Sequence, residues 1–473
     1  MQPPHSNSLA TSRPQDSSIS DGRFDLRPSV RAHNDEPDAY TLKRRWRRAT
    51  RLFNETRTKL GWRAAVIIAS RLVLRKTSIL VRHVWAFHHT SSIRAGVARH
   101  RVRESGKILV AFAISGGLGD NLVIARFIRD LCIYVGEIEF DVYSPTQGLT
   151  AWAFTNVPGF RSAFYDISFG QVAGDYDVAF RLNQAAVVHQ ELIHWHLVRR
   201  NHKLMSVIDN LVRFRPKVDA FISQHPWLDN FLARMAVFAG GSRRDFLHLM
   251  AGICYSGDKL VVPVDASVVD RLGLGDRPFV TVHNGFDPGY VISRRRATKC
   301  YPHFDKVITH LKTIMPHMIF VQIGTTSTSE PIPACDLLLL GRTSLDEAAG
   351  LISQAAMHLD NEGGLVHLAA CLGVRSAVVF GPTPSDYFGY HQNINIEPPI
   401  CGGCWYMTRT WMDACPKGHD TPICLTEQEP RTVAERVFAA LAEPAFPGAC
   451  DIHIEESLGN AHSPDITNCV AFE

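Results

Sequence analysis

From Lys107 onward the sequence alternates short apolar runs with amphipathic helical patterns, and this alternation restricts the chain to the α/β class. KILVAFAIS is typical of a buried strand, NLVIARFIRDLCIYV of a helix, and YDVAFRL of a third or fourth strand, before a largely helical stretch over 184–255. A second array begins at KLVVPV and continues through RPFVTVHNG, MIFVQIG, MHLD and RSAVVFGP. Two arrays of about 150 residues each predict two Rossmann-like, doubly wound domains, over 106–256 and 257–443, with a cleft between them.

The two ends of the chain lack this alternation. Residues 1–40 are rich in Ser, Pro, Asp and Asn, which predicts disorder, and the tail 444–473 is predicted to be weakly structured. Residues 41–105 are predicted to form a basic helical extension. Between Lys43 and Lys107 there are 18 Lys or Arg against two acidic residues, although the whole chain carries a net charge of only +4.

The basic segment 43–107 combines arginines with Trp46, Trp62 and Trp85, a composition typical of a helix lying on an anionic membrane surface. We expect peripheral contact with the inner face of the cytoplasmic membrane. The alternatives are a basic helix packed on the protein's own acidic body and a nucleic-acid-binding arm. Because we favour the membrane interpretation, we expect no nucleic-acid partner.

Two features help to predict the cellular compartment. The chain opens with the polar stretch MQPPHSNSLATSRPQDSS, and it contains eleven cysteines. The opening lacks the apolar core of a secretory signal, which predicts a cytoplasmic location. In that compartment clustered cysteines indicate metal ligands sooner than disulfides. No run of about 18 uncharged apolar residues occurs, so no membrane-spanning helix is expected.

The loop GGLGD after the first strand places Asp120 where a helix begins. A dinucleotide fingerprint would need a third glycine and an acidic residue ending the second strand, where Tyr143 and Ser144 stand, so binding of a nicotinamide cofactor is disfavoured. Asp120 has two interpretations, an N-cap of the helix or a general base at the edge of the cleft.

A second loop, in NEGGLVHLAACLGVRSAVVFGPT, also joins a strand to a helix. The backbone N–H groups at such a helix N-terminus suit a diphosphate, and Gly363 and Gly364 allow the ligand to approach the backbone closely. His367 lies in the first turn, where it either contacts the same anion or packs in the core.

This stretch resembles the signature of glycosyltransferase family 9, the ADP-heptose heptosyltransferases, which usually reads NDTGPMHLAAALGVPVVALFGPT. The first strand with its GD and helix, the YDVAFRL strand, and RPFVTVHNG followed by ATKCYP are similar to further segments of the family in the same order. The resemblance covers residues from about 107 to 440.

The resemblance implies a GT-B fold, with the acceptor on the first domain and the nucleotide sugar on the second. It also implies an inverting transfer for which no catalytic metal is expected. Asp120 matches the proposed general base, and Lys299 matches a lysine that contacts the donor diphosphate. Further implied donor-binding residues are Gly341 and Thr343 beside the nucleotide base, and Gly364 and His367 on the diphosphate–sugar loop.

Glu362 and Gly363 stand where the family has Asp and Thr. The carboxylate is kept on a longer side chain, whereas the hydroxyl is lost. Both positions belong to the predicted donor site, and the donor sugar depends on them.

An insert over 401–424 carries four cysteines with the spacing C-x2-C-x10-C-x8-C. Four thiolates at this spacing suit one tetrahedral Zn or Fe ion, which would be structural because all four positions come from the protein. The insert is similar to that of the heptosyltransferases that modify autotransporter adhesins, a branch with a four-cysteine iron site and ring-shaped assemblies. This resemblance implies a homo-oligomer. The predicted ligands are Cys401, Cys404, Cys415 and Cys424.

Taken together, these features predict an inverting glycosyltransferase that moves a sugar, heptose from ADP-heptose, to a lipopolysaccharide or other cell-surface glycan. The alternative within the same chemistry is a protein O-heptosyltransferase acting on autotransporter-type adhesins. The alternative outside the enzymes is a non-catalytic scaffold, in which the four cysteines and the basic segment carry the function.

Deleting residues 1–105 is expected to abolish salt-sensitive cosedimentation with anionic lipid vesicles, because the basic side chains of 43–107 would be lost. Neutral vesicles serve as the control. Unchanged binding to anionic vesicles would contradict the membrane role of this segment.

Overall fold

The computed structural model of the protein describes residues 62, 90–101, 106–223, 230–286, 297–408 and 410–442. The segment 1–40, most of the basic extension and the tail 444–473 lie outside these residues. Within the described ranges, no helix is long and apolar enough to cross a bilayer.

The first domain is built on a five-stranded sheet with the order β3-β2-β1-β4-β5. The first four strands are parallel, and β5 pairs antiparallel with β4. Apolar side chains bury β1 on both faces, as a parallel strand between helices requires. The strands are β1 (Ile108–Ile114), β2 (Ile138–Ser144), β3 (Phe160–Tyr165), β4 (Val178–Leu182) and β5 (Ala186–Val188).

Helices cover the sheet of the first domain, and α1 follows β1 directly after the GGLGD loop. The stretch predicted as largely helical begins with β5 and is helical afterwards. The helices are α1 (Leu118–Val135), α2 (Gln147–Phe154), α3 (Phe169–Val172), α4 (Trp195–Val198), α5 (His202–Ser223), α6 (Phe231–Phe238) and α7 (Phe246–Ala251).

The second domain contains a six-stranded parallel sheet with the order β11-β10-β9-β6-β7-β8. Its first strand begins at Phe279, later than the apolar run KLVVPV, which forms no strand. The strands are β6 (Phe279–Val282), β7 (Ile319–Gln322), β8 (Leu337–Leu338), β9 (Met357–Asn361), β10 (Ser376–Val379) and β11 (Ile394–Ile396).

Helices of the second domain lie between most of these strands, but none separates β7 from β8 in the described chain. They are α8 (Val268–Arg271), α9 (Phe304–Ile314), α10 (Leu345–Gln354), α11 (Gly364–Cys371), α12 (Ser385–Phe388), α13 (Ile423–Thr426) and α14 (Pro430–Ala442).

Two doubly wound sheets with a cleft between them confirm the predicted GT-B fold. In each sheet the strand order reverses at one point, between β1 and β4 in the first and between β6 and β9 in the second. Ligands of open α/β sheets bind at such switch points, outside the carboxyl ends of the strands. The predicted domain boundary at residue 256 stays a prediction.

Residues 90–101, the described end of the basic extension, form a helix that packs on the first domain. Ile93 and Val97 are buried in an apolar cluster with residues of β1. Arg94 pairs with Asp175 at 2.9 Å, and Arg101 pairs with Asp177 at 2.6 Å. For this stretch the interpretation as a basic helix on the protein's own acidic body is the one observed. In the vesicle experiment, a deletion of residues 1–89 therefore removes most of the basic segment and leaves this packing intact.

The two domains are joined by Arg126, which lies in α1 and is fully buried. Its Nη1 donates to the Tyr390 hydroxyl at 2.8 Å, and its Nη2 donates to the His367 carbonyl at 3.0 Å and to Cys371 Sγ at 3.1 Å. Asp258 lies 3.7 Å from Nη1 and balances the charge. One guanidinium thus ties α1 to α11 and to the chain after α12.

Arg126→Met is expected to lower the free energy of unfolding by about 3 kcal/mol, because it leaves the buried Tyr390 hydroxyl and His367 carbonyl without their shared donor. Urea denaturation followed by tryptophan fluorescence measures the change. Arg431→Met is the control, since its pair with Glu435 is exposed on α14 and should matter much less. A loss below about 1 kcal/mol for Arg126→Met would contradict this role.

Candidate active site

A cleft of about 650 Å³ lies between the two sheets, at the carboxyl ends of their strands. The GGLGD loop after β1 and the residues after β4 form one wall, and loops after β6, β7 and β9 form the other. The predicted site residues that line it are Asp120, Lys299, Thr343, Glu362, Gly363, Gly364 and His367. Gly341, with φ of +66°, lies two residues before Thr343 and does not itself line the cleft.

Asp120 occupies the first turn of α1, and its two carboxylate oxygens have different partners. Oδ2 accepts the backbone N–H of Gly117 at 3.2 Å. Gly117 is the N-cap residue, so Asp120 satisfies the helix end from within the first turn and is not the N-cap itself. Oδ1 faces the cleft wall and accepts from Arg243 at 2.6 Å and from Gln184 Nε2 at 3.4 Å. One oxygen of Asp120 therefore serves the helix end, and the other contacts the wall of the cleft.

Arg243 is 2% exposed and reaches Asp120 from the loop that follows α6. Its own backbone N–H donates to the Tyr387 carbonyl at 2.7 Å, and the Tyr387 hydroxyl donates to Gln184 Oε1 at 2.8 Å. These contacts hold the Asp120 carboxylate in one orientation, with its side chain still 21% exposed to the cleft.

The N-terminus of α11 forms the opposite wall. Gly363 is its N-cap, and the first N–H groups of the helix have no partner inside the helix. A Cβ on Gly364 would lie 3.0 Å from Leu118 Cβ and 3.1 Å from the amide nitrogen of Gly119. The two helix N-termini thus meet at glycines, because any side chain would separate them.

His367 is buried, and its ring packs on Gly119, where a Cβ would collide with it. Burial, with the charges of Arg126, Arg243 and Lys299, lowers its pKa well below the ordinary range, so the imidazole is neutral at pH 7. Arg126 is a donor only, so the Tyr390 hydroxyl accepts from it and donates to His367 Nδ1 at 2.6 Å. This assignment leaves the His367 Nε2–H as a neutral donor at the cleft.

Lys299 Nζ lies 3.1 Å from Glu362 Oε2, and both side chains are nearly buried. Burial lowers the pKa of Lys299, but the charge of Glu362 and its hydrogen bond raise it above the ordinary value. Lys299 is therefore a cation held in place by an anion that follows β9 directly. An arriving diphosphate would share this cation.

Residues 287–397 match the model of glycosyltransferase family 9 (heptosyltransferase). This match confirms, over part of the second domain, the resemblance to family 9 that the sequence predicts, and it indicates a glycosyltransferase. No curated protein matches the chain.

Three solved structures are similar to this chain. ADP-heptose LPS heptosyltransferase II of E. coli is 16% identical, with 70% of this chain and 98% of that chain covered and a TM-score of 0.38. The family 9 glycosyltransferase of Veillonella parvula is 10% identical, with 71% of this chain and 97% of that chain covered and a TM-score of 0.42. TibC of enterotoxigenic E. coli, an iron-containing dodecameric glycosyltransferase, is 12% identical, with 71% of this chain and 78% of that chain covered and a TM-score of 0.43.

The cysteine insert lines the cleft with aromatic side chains, Trp405, Tyr406 and Trp411. It also holds the segment that carries Lys299, because the Thr298 hydroxyl donates to the Trp411 carbonyl at 2.5 Å. The sequence analysis singled out the cysteines of this insert. In the structure it is the aromatic residues of the insert that line the cleft.

The four cysteines themselves are in different environments: Cys404 and Cys424 are buried, Cys415 is half-buried and Cys401 is exposed. Burial, with the neighbouring thiols, raises the pKa of Cys404 to about 11 and that of Cys424 to about 12. In the described part of the chain, no group of three or more His, Cys, Asp or Glu side chains is placed to hold a metal ion. The metal site stays a prediction from the spacing.

Purified protein is expected to contain about one equivalent of Zn or Fe, because four thiolates in one short insert favour such an ion. Elemental analysis measures it. Cys404→Ser should lose the metal, whereas Cys335→Ser, which changes a buried cysteine outside the insert, should keep it. Less than about a tenth of an equivalent in the unmodified protein would contradict the site.

Proposed function

We propose that the protein is an inverting glycosyltransferase that transfers heptose from ADP-heptose to a lipopolysaccharide or other cell-surface glycan. The observation that carries this proposal is the placement of a carboxylate, Asp120, and an anion-binding set, Lys299 with the N-terminus of α11, on the two walls of one cleft. The family 9 match supports the transfer of heptose.

Asp120 acts as the general base in this proposal. It removes the proton of an acceptor hydroxyl while that oxygen forms a bond with the anomeric carbon of the donor. The bond from the anomeric carbon to the diphosphate breaks on the opposite face, which inverts the configuration. Arg243 and Gln184 position the carboxylate for this step through its Oδ1 oxygen.

The leaving diphosphate gains negative charge as this bond breaks. Lys299 and the N–H groups of α11 are oriented toward the cleft before the reaction and stabilise that charge. They supply the positive potential that a divalent cation supplies in other sugar transferases, so the proposed reaction uses no catalytic metal. The neutral His367 adds a hydrogen bond without adding charge.

The aromatic side chains of the insert favour a glycan acceptor. Trp405, Tyr406 and Trp411 line the cleft, and aromatic side chains suit the apolar faces of sugar rings. A protein acceptor of the adhesin type stays the alternative. A cytoplasmic location, membrane contact through the N-terminal segment and a homo-oligomeric assembly belong to the same proposal.

Asp120→Asn is expected to lower kcat/KM by about a hundredfold to ten-thousandfold, because the amide cannot accept the hydroxyl proton. Turnover of ADP-, GDP- and UDP-sugars with extracted lipopolysaccharide core measures this, and NMR of the product gives the anomeric configuration. Calorimetry should show nearly unchanged donor binding by the variant.

Asp276→Asn, which changes an exposed aspartate of the second domain, is the control and should leave turnover unchanged. Full activity of Asp120→Asn would refute the base assignment. Absence of any turnover or donor binding by the unmodified protein would favour the non-catalytic scaffold instead.

A further inference from the structure

His283 lines the cleft but belongs to no part of the predicted donor site. It is the first residue after β6, and its backbone N–H donates to the Leu359 carbonyl of β9 at 2.9 Å. It therefore lies at the point where the strand order of the second sheet reverses. Glu362 lies after the adjacent strand, so the two side chains flank this switch point.

Behind His283 lies a chain of buried hydrogen bonds. Asp360 Oδ1 is 2.8 Å from His283 Nδ1, and its Oδ2 is 3.3 Å from His358 Nε2. His358 Nδ1 in turn lies 3.0 Å from the Thr281 hydroxyl. Asp360, His358 and Thr281 are all fully buried. The network therefore has one end in the core and the other in the cleft, at the His283 ring.

Two glycines fix the plane of that ring. A Cβ on Gly285 would lie 2.5 Å from His283 Nε2, and a Cβ on Gly324 would lie 2.8 Å from its Cδ2. Gly324 has φ of +136°, a conformation that other residues rarely adopt. The ring is thus held between two backbone segments as well as by Asp360, and it has little freedom to rotate.

The charge of Asp360 decides which nitrogen of His283 serves a ligand. Burial raises the pKa of Asp360, but the charges and hydrogen bonds of His283 and His358 outweigh burial and lower it. Asp360 is thus an ionised carboxylate that accepts the Nδ1–H of His283. A buried carboxylate in this position orients the imidazole and leaves Nε2 for a ligand, as it does behind metal-binding and catalytic histidines.

We propose that His283, oriented by Asp360, binds the diphosphate of the donor through Nε2–H. This inference rests on the proposed function, since it assigns another contact to the same donor. Lys299, the N-terminus of α11 and His283 line one cleft and would together surround the diphosphate. His283 would then donate a hydrogen bond to the diphosphate from the end of β6.

Calorimetric titration with ADP and with adenosine tests this contact, because adenosine keeps the base and ribose but lacks the diphosphate. His283→Asn keeps an amide at the position of Nδ1 and removes the group at Nε2. It should weaken ADP binding about tenfold to a hundredfold and change adenosine binding less than about twofold. His283→Gln places an uncharged donor near the position of Nε2 and should lose less ADP affinity than His283→Asn.

His310→Asn, on the exposed face of α9, is the control and should bind both probes normally. Unchanged ADP affinity in His283→Asn, or an equal loss for ADP and adenosine, would overturn the inference. If His283→Asn does not fold, His283→Ala takes its place: selective loss of ADP binding supports the contact, and unchanged ADP binding refutes it. Failure of the unmodified protein to bind ADP, GDP or UDP would instead refute the proposed function.

Discussion

The contact between the N-termini of α1 and α11 determines the geometry of the whole site. Gly119 and Gly364 allow these helix ends to touch, since a Cβ on either would collide with or crowd the opposite domain. Arg126, buried one to two turns further along α1, fixes the approach through hydrogen bonds to α11 and Tyr390. Without this contact, the carboxylate of the first domain and the anion-binding set of the second would not face one cleft.

The two helix ends differ in charge, and the proposed chemistry depends on this difference. The positive end of α1 is satisfied internally by Asp120, whose other oxygen is held by Arg243. The end of α11 carries no acidic residue in its first turn. Both ends have the partial positive charge of a helix N-terminus, but only that of α11 is left for an anion. In the proposed function, the donor phosphates therefore belong to the second domain and the acceptor hydroxyl to the first.

Local signals in the sequence predicted the two sheets and the residues at strand–glycine–helix junctions, such as Asp120 and Glu362. Arg243 and His283 were missed because their roles depend on partners 123 and 77 residues away along the chain. The later start of the second sheet was also missed. In KLVVPV, Leu260 and Val262 are buried while Val261 is exposed, so the run has the alternation of a strand without a strand partner.

The most direct test of this account is a crystal structure of the Asp120→Asn variant with bound ADP-heptose. The account predicts that the diphosphate lies at the N-terminus of α11 beside Lys299, with the anomeric carbon of the sugar facing residue 120. A diphosphate bound on the loop from Gly116 to Gly119, at the N-terminus of α1, would contradict it.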